Sequence, residues 1–251
     1  MRFNSNKQDS NKTEKMREGG KIGAGILTEV IHSIAVGMTT AQLDKIAEDL
    51  CVQNKVVPAF KGYRGFPAVL CVGLNDVVVH GIPGDDVLKT GDILSVDFGI
   101  HYKGFVVDMA RTVCVGKVSE SARSFVLTAR EALEKACEQA KPGNTTGHIG
   151  HAIQSAIEKG GYSIVREMVG HGVGSKLHED PAIPGYGECG QGSELVQDQT
   201  IAIEVITNEG SPEIAVSRKD GWTTRTKDGK LSALFENTVL VSDNPEILTV
   251  L

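Results

Sequence analysis

The stretches LKTGDILSVD (88–97) and LVQDQTIAIE (195–204) follow one plan. Each leads from a leucine through polar turn residues into an apolar segment that closes on a carboxylate, Asp97 in the first and Glu204 in the second, 107 residues apart. Short runs of Ile, Leu and Val bounded by turn residues read as buried strands. Upstream the parallel continues. Gly37-Met38-Thr39-Thr40 precedes a helical stripe of Leu43, Ile46, Ala47 and Leu50, and Gly143-Asn144-Thr145-Thr146 precedes Ile149, Ala152, Ile153 and Ala156, each position 106 residues beyond its counterpart. Thr39 and Gln42 have capping-box spacing. A constant offset over helix and strand is the mark of an internal duplication. The chain is therefore expected to form one α+β domain of two matching halves, 13–118 and 119–251, after a short polar extension at 1–12.

Two further helices frame the halves. Met16, Ile22, Ile26, Leu27, Val30, Ile31 and Ile34 share one face of a predicted helix from Thr13 to Ala35, stopped by Gly37. Phe125, Val126, Ala129, Leu133 and Ala136 do the same for a helix from Ser119 to Lys141, closed by Pro142 and Gly143. A histidine followed three residues later by proline precedes each decisive strand: His80 with Pro83, and His178 with Pro181.

Composition narrows the class of protein. The 251 residues, 40% hydrophobic and 23% charged, fit a globular protein large enough to bury a core without staples. No apolar run approaches the roughly 18 residues of a membrane span, so no membrane partner is expected. A net charge of −6 argues against a specific nucleic-acid partner. Five scattered cysteines, Cys51, Cys71, Cys114, Cys137 and Cys189, form no Cys-x-x-Cys pair and suit a reducing compartment. The polar opening, with Asp9 and Glu14, lacks the apolar core of a secretory signal, so a mature chain starting there in the cytoplasm is expected.

The chemistry lies in acids embedded in apolar runs. Asp97 follows Ile93, Leu94 and Val96; Asp108 follows Phe105, Val106 and Val107; Glu204 follows Ile201 and Ile203; Glu236 follows Leu234 and Phe235. Burying an ionised carboxylate is costly unless a cation accompanies it, and these runs contain few Lys or Arg. One such acid would read as a solvent-facing strand residue; four together point to metal. His171, between Gly170 and Gly172, adds an imidazole where backbone can approach a ligand closely. Oxygen-rich ligation with one imidazole suits Mn, Fe, Co or Zn in a catalytic site, and four carboxylates supply more donors than one ion needs, so two divalent metal ions are expected. His80 and His178 remain as acid-base groups or hydrogen-bond donors beside them. Rival motifs are absent: His178-Glu179 has Ala182 where a second zinc histidine would stand, and no phosphate loop or Gly-x-Ser-x-Gly elbow occurs.

These residues resemble the type I methionine aminopeptidases of the creatinase-like, or pita-bread, family. The resemblance covers nearly the whole chain and rests on Tyr63-Arg64-Gly65-Phe66-Pro67, His80-Gly81-Ile82-Pro83, Asp97 with Asp108 and Arg111-Thr112, the run from Gly170 to Pro181, and Gly221-Trp222 through Glu236. It implies two symmetric halves with a curved antiparallel sheet and helices on the outer face. It implies that Asp97 chelates one ion, His171 and Glu204 the other, and Asp108 and Glu236 bridge them. His80 and His178 would contact the scissile amide and carbonyl, Glu204 would handle the proton of the attacking water, and Glu204 or His80 would pass a proton to the leaving amine. Phe60, Tyr63, Phe66, Cys71, Leu177 and Trp222 match the methionine pocket, although the residues alone read as ordinary core, apart from Trp222 in its polar stretch. The expected substrates are N-termini of newly made polypeptides with a small second residue; the ribosome is a candidate partner, and a monomer is expected.

Three features depart from the family pattern. Val205 follows Glu204 where proline is usual, Asn237 follows Glu236 where histidine is usual, and Val69 to Leu74 has fewer small hydroxyl residues than is common. Two other readings share the resemblance: an Xaa-Pro peptidase, disfavoured because helix begins near Thr13 and leaves no room for the extra N-terminal domain, and a metal-free binding protein, disfavoured because all five ligands are present. A type II enzyme is disfavoured by the short span from His178 to Glu204.

Overall fold

The computed structural model describes residues 6–251, with side chains from residue 11 onward. In chain order the elements are α1 (Asn6–Ser33), α2 (Thr40–Asn54), β1 (Val57–Pro58), β2 (Cys71–Leu74), β3 (Val77–Val79), β4 (Ile93–Tyr102), β5 (Phe105–Cys114), α3 (Glu120–Cys137), α4 (Thr146–Lys159), β6 (Ser163–Ile164), β7 (Gly170–Gly172), β8 (Glu179–Ile183), β9 (Thr200–Asn208), β10 (Ile214–Val216), β11 (Thr224–Thr226), β12 (Ser232–Leu240) and β13 (Glu246–Ile247). The extension expected to be merely polar over residues 1–12 is helical from Asn6; residues 1–5 lie outside the described residues. No helix among the described residues is long and apolar enough to cross a membrane.

The duplication is visible in hydrogen bonds. Thr39 bridges Val87 and Thr145 bridges Glu194. The Gly37 N–H donates to the Leu88 carbonyl at 2.8 Å, as the Gly143 N–H does to Leu195 at 3.0 Å. Both helices that follow start with a cap. Gln42 N donates to the Thr39 hydroxyl while Gln42 Oε1 accepts from Thr39 N, and His148 Nδ1 accepts from Thr145 N. Ser119 caps α3 by accepting from Ala122 N. That helix ends at Cys137, four residues short of the expected Lys141, and the chain turns before Pro142.

One antiparallel sheet runs through both halves in the order β1-β4-β5-β12-β9-β7-β8, with β2 on β4, β6 on β9 and β13 on β12. Alternation of side chains across a strand sorts its two faces. Val96, Phe98, Ile100, Val107 and Met109 share a core with Leu27 and Val30 of α1, while Ile201, Ile203, Val205, Phe235 and Val239 pack with Phe125, Leu133 and Ile153 of α3 and α4. The opposite face carries Asp97, Asp108, Glu204 and Glu236.

The two halves join along β5 and β12, which pair regularly only at Glu236 with Ala110 and Asn237 with Met109. On either side, threonine hydroxyls replace the ladder. Thr112 Oγ1 donates to the Leu234 carbonyl and accepts from its N–H (2.8 and 2.9 Å), and Thr238 Oγ1 does the same for Asp108 (2.9 Å each). A hydroxyl is both donor and acceptor, so each threonine satisfies a backbone pair that the diverging strands leave open.

Candidate metal centre

The strand register assembles the acids. Reading across the sheet, Asp97 lies opposite Ala110, Ala110 opposite Glu236, and Glu236 opposite Glu204. Asp108 is two residues along β5 from Ala110, and His171 faces Ala202, two residues along β9 from Glu204. Steps of two keep a side chain on the same face, so the five residues share one surface with the small Ala110 at its centre. The acids stand in mid-strand, whereas the sequence reading ended each run on its carboxylate. The strands extend past them because Phe98 to Tyr102 and Val205 to Asn208 continue the alternation.

Asp108, His171 and Glu236 are buried, and one ligand atom of each lies within 4.8 Å of the others. His171 Nε2 is 3.5 Å from Glu204 Oε1 and 4.0 Å from Asp108 Oδ2. Its Nδ1 lies 2.9 Å from the Gly172 carbonyl. That carbonyl can only accept, so Nδ1 carries the proton and Nε2 is left as a lone-pair donor facing the carboxylates. Asp97 Oδ1 and Glu236 Oε1 are buried without a hydrogen-bond partner among the described residues. Among the described residues no Lys or Arg pairs with any of the four acids. Arg111 comes nearest, but from the helix face, donating to the carbonyls of Ala110 and Glu236 rather than to a carboxylate. Orphaned buried oxygens, four acids without a cation and an imidazole lone pair aimed among them together fit divalent metal.

The glycines flanking His171 act differently from expectation. They admit neighbouring strands rather than a ligand: a Cβ on Gly170 would stand 2.4 Å from the Ala202 carbonyl oxygen, and one on Gly172 2.2 Å from that of Asp180. The residues after the acids also belong to the other face. Val205 is fully buried opposite Phe235, and Asn237 accepts from Arg111 at 2.7 Å. Val205 and Asn237, two of the departures from the family pattern, therefore lie on the sheet face opposite the candidate ligands.

Burial raises the pKa of Asp97, Asp108, Glu204 and Glu236, and the charges of neighbouring acids push Asp97, Glu204 and Glu236 further up. Asp108 reaches about 7 and Glu204 about 8. His171 moves the other way, to about 4, through burial and then the neighbouring His178. These shifts set a stability test on metal-stripped protein. Carboxyls with raised pKa stabilise the fold fully below the unfolded values of 3.8 and 4.5, and that contribution is lost as pH rises through about 7 and 8. His171, with its lowered value, costs stability only as pH falls from 6.5 towards 4. Between pH 6.5 and about 8 the acids act alone, so the Tm of stripped protein should fall while that of metal-loaded protein holds. A stripped Tm that is flat or rises over that window would count against the cluster.

Above the carboxylates lies a cavity of about 200 Å³, smaller than the roughly 300–1,000 Å³ of drug-sized pockets. It is lined by all thirteen site residues expected from the sequence: the four acids with His171, the pair His80 and His178, and Phe60, Tyr63, Phe66, Cys71, Leu177 and Trp222. Cys71 extends the row of acids, pairing with Asp97 on β4. Trp222 is half-buried, edge-on to Phe66 at 5.2 Å and to His80 at 6.2 Å. Its turn is held by Asp220 Oδ1, which accepts from Trp222 N and Thr223 N. His80 sits at φ 56, the left-handed region that costs a non-glycine residue energy. Burial and nearby His178 lower its pKa; burial and the Arg64 charge lower that of His178. Arg64 and Val79 also line the cavity and were not foreseen. Arg64 had a signal, its place inside the Tyr63 to Pro67 run, whereas Val79 reads as plain strand.

A curved antiparallel sheet with helices on one face and buried acids on the other defines a metallopeptidase scaffold. The profile of metallopeptidase family M24 matches residues 14–243, and the chain belongs to that family. Within it, relatives named methionine aminopeptidase match over nearly the whole chain. That of Clostridium perfringens is 43% identical over 245 residues, spanning 97% of this chain and 98% of its own. The crystal structure of methionine aminopeptidase from Thermotoga maritima superposes with a TM-score of 0.93 at 43% identity, over 95% of this chain and 96% of that one. The prolidase of Pyrococcus furiosus shares the fold, with a TM-score of 0.78, but at 24% identity and over 64% of its own chain.

Proposed function

We propose that the chain is a methionyl aminopeptidase: it hydrolyses the first peptide bond of polypeptides that begin with a free methionine followed by a small residue, acting on newly made chains as a cytoplasmic monomer. The observation that carries this reading is a cavity of about 200 Å³ walled by aromatic and apolar side chains and floored by a buried set of acids and one imidazole that fits divalent metal. Aromatic edges and the Cys71 thiol suit an unbranched thioether. The limit to a small second residue rests on the family resemblance, and docking at the ribosome remains part of the proposal on the same footing.

Asp97 would hold one divalent ion, His171 and Glu204 the second, and Asp108 and Glu236 both; Co, Mn, Fe and Zn all suit this donor set. When bound, the ions supply Lewis acidity and a water acidic enough to attack near neutral pH. Glu204 takes the proton that the water loses on attacking the carbonyl carbon. His178 donates a hydrogen bond to the carbonyl oxygen as negative charge gathers there. As the carbon–nitrogen bond breaks, Glu204 returns its proton to the leaving amine, which His80 holds in place.

The test is release of the leading residue from Met-Gly-Met and from an Xaa-Pro peptide, after loading stripped protein with Mn or Co and with a chelator control. Metal-dependent cleavage of the first alone is expected; cleavage of the second alone would move the protein to the Xaa-Pro peptidases. A His178→Ala variant should lose about 100-fold in kcat, the scale of removing one oxyanion donor, while keeping its metal. Loss of metal from that variant would show that the division of roles is wrong.

A further inference from the structure

We propose that Tyr63 is a positioning residue whose hydroxyl sets the tautomer of His178, an inference that rests on the aminopeptidase reading above. Tyr63 Oη lies 2.8 Å from His178 Nδ1. The His178 ring stands between two others, Tyr63 at 5.3 Å and His171 at 4.3 Å between centroids, yet the Tyr63 hydroxyl is its hydrogen-bond partner among the described residues. His178 is itself exposed, so without that bond water could hydrate either nitrogen. His80, across the cavity, has no such anchor among the described residues.

The chemistry decides the direction of the bond. A phenol, with a pKa near 10, is a far stronger acid than a neutral imidazole N–H, and an imidazole nitrogen is a far better acceptor than a phenol oxygen. Tyr63 therefore donates, Nδ1 accepts, and the single ring proton of neutral His178 resides on Nε2. That is the nitrogen free to meet a substrate carbonyl, and the proton makes it a donor at the moment the oxygen becomes negative. The opposite tautomer would present a lone pair to an oxyanion. The tyrosine is held for this task. It begins a tight turn, Tyr63–Gly65, in which Arg64 has φ 47 and Gly62 and Gly65 have φ 90 and 88. Tyr63 N donates to the Phe60 carbonyl and Phe66 N to the Tyr63 carbonyl, each at 2.9 Å, and Phe66 is buried.

Tyr63→Phe keeps the ring that lines the cavity and removes only the hydroxyl. With Mn-loaded enzyme and Met-Gly-Met, kcat should fall about tenfold, the low end for losing a group that orients an active side chain, while KM stays within about twofold. Combined with His178→Ala, the same change should cost nothing more, because Tyr63 acts through His178. An independent reading comes from ¹⁵N-histidine NMR of the stripped protein, with His178 assigned by its absence in His178→Ala. The wild type should show a bare Nδ1 and a protonated Nε2, and Tyr63→Phe should move both shifts towards an average. A fully additive double variant, a change in KM alone, or ¹⁵N shifts indifferent to Tyr63→Phe would each overturn the proposal. If wild-type protein failed to cleave Met-Gly-Met while the NMR result held, the tautomer assignment would survive and the substrate reading would fall.

Discussion

Asp108→Ala is expected to abolish both metal binding and turnover, with kcat/KM for Met-Gly-Met reduced at least about 10³-fold, the scale of losing a preorganised electrostatic group. Asp108 lies on the shared face two residues from Ala110, with one carboxylate oxygen 4.0 Å from His171 Nε2. Its charge contributes to the raised pKa of Asp97, Glu204 and Glu236 alike, so it faces every other acid of the cluster. Its backbone is anchored independently through the Thr238 hydroxyl, and its side chain makes one local bond, accepting from Met109 N at 3.0 Å. The strand should therefore persist. Removing one of four crowded acids should leave the stripped variant at least as stable as stripped wild type above pH 6.5. Elemental analysis after dialysis, peptide hydrolysis and thermal melts check the three statements; a variant that kept its metal and its turnover would remove Asp108 from the centre.

Gly170→Ala should be nearly as damaging, although the side chain it adds is a single methyl. The new Cβ would stand 2.4 Å from the Ala202 carbonyl oxygen, 3.2 Å from Glu204 N and 3.3 Å from the Ile183 side chain. Those obstacles are mostly backbone of the neighbouring strand and cannot swing aside, so β7 must move off β9. The next residue is His171, whose Nε2 is 3.5 Å from Glu204. A shift of about 1 Å at a positioned group costs on the order of 10²-fold in rate, and overpacking a core costs typically 1–3 kcal/mol. Denaturant unfolding of stripped protein and metal titration should both show the loss. Unchanged midpoints in both would mean that the glycine is incidental.

Much of the fold was legible because it is written locally. Thr39 with Gln42 announced a helix start, and that capping box forms as read. The offset of 106–107 residues announced two halves, and the paired bridges at Thr39 and Thr145 repeat it in space. Acids within apolar runs stood out because burying an unpaired charge is costly wherever the strand lies.

What escaped depends on contacts between distant segments. Strand ends were misplaced at Asp97 and Glu204 because hydrophobic alternation, unlike a turn, does not say where pairing stops. Arg111, Thr112 and Asn237 stand out in the sequence only through the family resemblance, and Thr238 not at all; the bonds they make exist only once β5 and β12 lie side by side and the diverging backbones need extra hydrogen-bond partners.

By itself, then, the sequence determined the halves, the helix caps and the chemical character of the centre, since periodicity, capping and the cost of buried charge act within a few residues. Only the tertiary structure decided that Asp97, Glu236 and Glu204 fall in one register across three strands, with Asp108 and His171 two residues along. It alone set Tyr63 against His178, 115 residues away in the chain. Register is fixed by how strands twist and pair over the whole sheet, and a one-residue slip, invisible in local pattern, would turn any of these acids to the opposite face.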